Sequence, residues 1–186
     1  FLKPSAGIEM KTISDNKCGT VIIGLGNSIL SDDGVGIQVA RRLVPCFSGN
    51  DDVDVVECSA GGLRLMEAMA GYEHAIIIDA MRVGHFAPGE VVRFGPESLP
   101  KCRNLSCSHD ASFTTAMEIG RATEVPLPTR IDIIGVEGCE FETFSETLSP
   151  PVEAAAKRVV DMVLQMTGRN RSAIGETEEQ TLEACP

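Results

Sequence analysis

Basic charge is scarce in this sequence. Sixteen Lys and Arg stand against 27 Asp and Glu, a formal net charge of −11. A nucleic-acid binder needs a basic face to meet phosphates, so that class is excluded. The balance suits a cation, a basic partner peptide or plain solubility. No run approaches the ~20 apolar residues that span a bilayer, and the N-terminus has no apolar core of a secretory signal. Membrane insertion is therefore not expected, and the cytoplasm is. CxxC pairs are absent. The seven cysteines, at 18, 46, 58, 102, 107, 139 and 185, are scattered and odd in number. They fit reduced thiols in a cytosolic protein better than a zinc ribbon or a thioredoxin motif. HExxH and a Ser–His–Asp set are also missing, which argues against zincin and ordinary serine-hydrolase chemistry. There are three histidines; His74 begins a strand and His85 sits in a turn, and both are expected at the surface.

What is present alternates. Apolar runs at 20–26, 53–58, 74–80, 89–95 and 130–138 read as strands, the fourth at an edge. Helical patterns follow Asp33 up to Pro45 and occupy 60–72, 113–122 and 149–166, the last with Ser149 as N-cap and proline at the first helical position. Strands alternating with helices predict an α/β fold, a mostly parallel twisted sheet covered on both faces. One domain is expected over 19–168. Residues 1–18 form an N-terminal extension, in which Met10 could be the natural start and 1–9 a vector-derived leader. Residues 169–186 are polar and aperiodic, and read as a mobile tail.

The stretch GLGNSILSDDGVG (24–36) poses a choice between anion and cation. It has the first two glycines of GxGxxG but Ile29 at the third position, so the phosphate signal is weak. Asp32 and Asp33 would also occupy the helix N-terminus that a pyrophosphate needs. The bland alternative makes Asp32 a helix cap and Asp33 a first-turn acid. Asp79 ends the apolar run IIID, where an ionised group needs a donor or a metal. His109 lies in SCSHDAS, ahead of a helix. Two carboxylates and one imidazole at strand and helix ends form a mixed O/N set suited to a divalent metal with open positions. A rival cluster is Cys102, Cys107 and His109, whose spacing matches no strong zinc pattern. A Cys107 protease would need a second histidine nearby.

Taken together and in order, GLGNSILSDDGVG, IIIDAM, SHDAS and GVEG…LSPPVEAAAKRVV resemble the maturation endopeptidases of nickel–iron hydrogenase large subunits, over about residues 19–166. The resemblance implies a three-layer α/β/α sandwich. It carries the family's metal-site residues onto Asp33, Asp79 and His109, with Gly24, Gly26 and Asn27 shaping the turn. It implies removal of a C-terminal peptide from the large-subunit precursor after nickel insertion. The nickel would be borne by the substrate, and another divalent metal could occupy the same site. A non-catalytic nickel-binding chaperone module on the same fold is the alternative. A dinucleotide oxidoreductase ranks last. Two features depart from the family: the long polar tail, and Cys102 and Cys107, which its motif gives no role.

Overall fold

In the computed structural model of the protein, residues 19–98, 102–105 and 112–169 are described. The N-terminal extension, the run 106–111 with Cys107 and His109, and the segment from 170 onward lie outside them. β1 (Thr20–Leu25) is a β-branched run buried on both faces, as a central parallel strand should be. β2 (Val53–Cys58), β3 (His74–Met81), β4 (Val91–Phe94) and β5 (Arg130–Glu137) complete one sheet in the order β2-β1-β3-β5-β4. The pairings are parallel except β4 with β5, where the short edge strand runs antiparallel. The expected alternation and the edge position of the fourth strand are both found.

Period two sorts the strand side chains to two cores. Ile22, Ile76, Ile78, Ile134 and Val136 pack against α1 (Val35–Leu43) and α4 (Pro150–Met166). Val21, Ile23, Leu25, Ile77, Met81 and Ile133 pack on the other face, against α2 (Gly62–Met69) and α3 (Phe113–Ala122). This is the three-layer sandwich. Arg169 closes the end of α4: its guanidinium donates to the Cys46 carbonyl and lies 5.1 Å from the Phe47 ring centroid. Among the described residues no helix is long and apolar enough to cross a membrane.

α1 lies unusually close to the sheet. A Cβ on Gly36 would run into the carbonyl oxygens of Leu25 and Ile78, and one on Gly24 into that of Gly36. Backbone carbonyls cannot swing away, so Gly36→Ala must push the helix off the sheet. We expect a loss of about 2–3 kcal/mol, the usual size of core overpacking. That corresponds to a melting temperature lower by about 5–10 °C in a calorimetric scan.

The strand order reverses direction at β1 and β3: the chain leaves β1 toward β2, then returns to place β3 on the other side. Ligands of such sheets bind outside the carboxyl ends of the strands at this switch point. Asp33 follows β1 there, and Asp79 lies near the end of β3.

Candidate active site

The glycine turn serves the protein's own backbone. Gly26 has φ +146°, and a Cβ on it would meet the Asp33 carbonyl oxygen. A side chain at Gly26 would run into the chain itself, and the turn presents a carboxylate. Asn27 Oδ1 accepts the Ile29 N–H at 3.2 Å, and the Asn27 N–H donates to Asp33 Oδ2 at 3.1 Å. Asp33 is 3% exposed.

Asp79 shares a sheet face with Ala75, Ile77 and Met81 and is completely buried. The segment 102–105 runs along the end of β3: Cys102 bridges Met81, and the Arg103 N–H donates to the Ala80 carbonyl at 2.9 Å. It delivers three donors to Asp79. The N–H groups of Asn104 and Leu105 reach Oδ2 at 3.1 and 3.2 Å, and Asn104 Nδ2 reaches Oδ1 at 2.8 Å. The same Nδ2 donates to Asp33 Oδ1 at 3.2 Å, so one amide nitrogen joins both carboxylates. Arg103 Nε pairs with Asp33 Oδ1 at 3.0 Å.

Among the described residues, the hydrogen-bond donors to Asp79 are all uncharged. Burial, only partly offset by the donors from Asn104 and Leu105 and reinforced by the nearby charge of Asp33, pushes its carboxyl up to about 7. Two acids held around one amide, with a deficit of positive charge at the deeper one, make a donor set that fits a divalent cation. Among the described residues no three His, Cys, Asp or Glu side chains form a metal cluster; the third expected ligand, His109, lies outside them.

Several sequence expectations change. Asp32 does not cap α1. It is completely buried and accepts from the N–H groups of Cys139 and Glu140 at 2.9 Å each, and from the Ser149 N–H and Oγ at 2.8 and 2.9 Å. Ser149 stands at the N-cap of α4, but its hydroxyl serves Asp32 instead of the helix. His74 is half-buried, with Nε2 2.8 Å from Asp132 Oδ2. It sits five residues before Asp79 in β3, about 16 Å away at 3.3 Å per residue, too far to act beside Asp79. Cys102 is wholly buried. Burial, then the charges of Asp79 and Glu137, push its thiol well above the ordinary range. His85 is exposed, as expected.

Glu137, Asn104 and Arg103 were not singled out by sequence reasoning. Glu137 is 3% exposed at the end of β5 and accepts the N–H groups of Val83 and Gly84 at 2.8–3.1 Å. An acid ending an apolar strand was a readable signal, the same one that marks Asp79. Asn104 carries no such mark.

A model of the hydrogenase maturation protease family matches residues 37–166. The chain belongs to that family. The protease is 26% identical over 145 residues to the hydrogenase 2 maturation protease of Escherichia coli strain K12, covering 77% of this chain and 87% of that one. Its fold is that of the hydrogenase maturating endopeptidase HybD from E. coli, with TM-score 0.60, 24% identity, and 80% and 91% of the two chains covered. The crystal structure of a hydrogenase 2 maturation peptidase from Thaumarchaeota archaeon SCGC_AB-539-E09 superposes with TM-score 0.61 at 26% identity, over 82% of this chain and 99% of that one. The protease is thus an α/β peptidase of hydrogenase maturation, and Asp33 and Asp79 stand at its switch point.

Proposed function

We propose that the protease removes a C-terminal peptide from the precursor of a nickel–iron hydrogenase large subunit, in the cytoplasm, after nickel has been inserted. In this reading Asp33, Asp79 and His109 recognise the nickel that the precursor carries. The observation that supports it is the joining of two buried carboxylates by a single amide nitrogen, with only uncharged hydrogen-bond donors to Asp79 among the described residues. Leu105, whose N–H donates to Asp79, precedes His109 by four residues in the sequence.

Two carboxylates balance a divalent charge, and a neutral His109 completes a set with one nitrogen and two oxygens. Such a set lacks thiolates and binds a free ion weakly beside a four-ligand structural site. Nickel already held by the precursor brings further coordination with it. Asp33, Asp79 and His109 would hold the ion, which would anchor the substrate and would supply Lewis-acid chemistry. Asp79 holds a proton in the free protein below about pH 7 and releases it when a cation arrives, so engagement weakens in acid. The same residues would hold another divalent ion in place of nickel.

The test uses dialysed protease with two precursor preparations, one nickel-loaded and one metal-free, and reads precursor mass by mass spectrometry. A weak chelator keeps free nickel out. We expect the loaded precursor to lose its C-terminal peptide at least tenfold faster, a difference of about 1.4 kcal/mol or more in barrier. Equal cutting of both would remove nickel recognition. Stable complex formation with unchanged mass would favour a non-catalytic nickel-binding chaperone.

A further inference from the structure

The two carboxylates are held in an unequal way. Each has one oxygen fixed by main-chain donors: Asp33 Oδ2 by the Asn27 N–H, and Asp79 Oδ2 by the Asn104 and Leu105 N–H groups. Each has its other oxygen held by side chains: Asp79 Oδ1 by Asn104 Nδ2, and Asp33 Oδ1 by Asn104 Nδ2 and by an ion pair with Arg103 Nε. Main-chain donors set the orientation of a carboxylate and stay put. Side-chain donors can swing out. The two Oδ1 atoms are therefore the ones that a cation can claim without disturbing the loop.

Arg103 stands between Asp33 and solvent. Its side chain is 36% exposed, whereas that of Asp33 is 4% exposed, so the guanidinium covers the carboxylate from the solvent side. Its Cζ lies 4.9 Å from the centroid of the buried Phe141 ring. That ring face holds a cation by its quadrupole, without a hydrogen bond that would have to be broken. Arg82 approaches the same ring, at 5.7 Å, and pairs with Glu142 rather than with Asp33.

We propose that Arg103, with the Asn104 side-chain amide, is a built-in stand-in for the metal, which nickel must displace from Asp33 in order to bind. This rests on the metal reading of Asp33 and Asp79 and adds a specificity role for Arg103. The free protease then resists stray divalent ions. A guanidinium beside the site both occupies an oxygen and repels a cation, and only an ion delivered with further binding energy displaces it. Phe141 keeps the displaced guanidinium nearby, ready to return when the product leaves.

The experiment is calorimetric titration of nickel chloride into the full chain at pH 8 and low salt. It compares wild type, Arg103→Gln, Arg82→Gln and Asp79→Asn, with Arg103→Met as a second variant that keeps the packing on Phe141. Removing Arg103 should tighten nickel binding about tenfold, as loss of a competing ion pair beside a divalent charge would. Arg82→Gln removes the same charge from the same ring and should change the affinity by less than about twofold. Unchanged or weaker binding in both Arg103 variants overturns the stand-in role. So does equal tightening by Arg82→Gln, which would reduce the effect to net charge. The underlying site reading fails separately, if Asp79→Asn binds nickel as wild type does.

Discussion

Asp79→Asn should stop precursor processing while leaving the protein folded. Loss of the groups that merely orient a metal ligand costs about 10–100-fold, so loss of a ligand should cost a hundredfold or more. The fold has reason to tolerate the change. Asn is the same size, its carbonyl oxygen can accept from the Asn104 and Leu105 N–H groups, and Asn104 can turn its amide to meet the new donor. The variant also lacks a carboxylate whose ionisation burial opposes. The pH dependence follows from that. The folded carboxyl titrates at about 7 against 3.8 in the unfolded chain, so between these values the folded state binds more protons. Wild-type stability from this group is present below about pH 4 and is lost as pH rises toward 7. Relative to Asp79→Asn, wild type should thus lose on the order of 2–4 kcal/mol across that window. Urea titrations of both proteins at pH 5, 6, 7 and 8 measure the difference. A parallel pH response in the two would mean that the Asp79 carboxyl is not raised, and wild-type processing by the variant would remove Asp79 from the site.

Asp32→Ala should behave in the opposite way, with a large loss of stability at neutral pH. The carboxylate gathers donors from Cys139, Glu140 and Ser149, and its removal leaves their N–H groups without their partner. Breaking a buried charged contact of this kind costs about 3–5 kcal/mol. The loop 138–149 is then held to the start of the molecule by the neighbouring main-chain pairs, Ser31 N–H to Ser145 O at 2.7 Å and Ser145 N–H to Ile29 O at 3.0 Å. Burial alone would raise the Asp32 pKa, but the donors from Cys139, Ser149 and Glu140 outweigh it and hold the carboxyl below its ordinary 3.8. Its contribution is therefore complete above about pH 4 and lost as pH falls through the lower folded value. The stability gap between wild type and Asp32→Ala, measured by urea unfolding, should narrow only below pH 4. A gap under about 1 kcal/mol at pH 7 would mean that the loop finds other partners.

The adjacent acids Asp32 and Asp33 show what a sequence can and cannot disclose. Asp79 was legible because an acid at a strand end is costly to bury, and Asp33 because it opens the helical pattern that follows β1; the α/β alternation puts both at one edge of the sheet. The strands themselves were legible as β-branched runs, and α4 as an amphipathic period. The role of Asp32 was not legible, because its partners lie 107–117 residues away and are mostly main-chain N–H groups, which every residue possesses. Asn104 and Arg103 were hidden for a related reason. Their segment has no regular period, and its meaning comes from where it returns against β3.

The two cores differ in more than position. Among the described residues, the one beneath α1 and α4 buries mainly Val, Ile, Leu and Ala, with Met162 and Met166 only at its partly buried margin, whereas Met69, Met81 and Met117 are buried in the one beneath α2 and α3. Branched aliphatic side chains have few rotamers, while thioethers adapt their shape at little cost. Stiffness is therefore unequal across the sheet. Asp79 and the 102–105 segment are thus backed by the methionine-containing core, while the close approach of Gly24 and Gly36 ties the helix layer opposite them to the sheet.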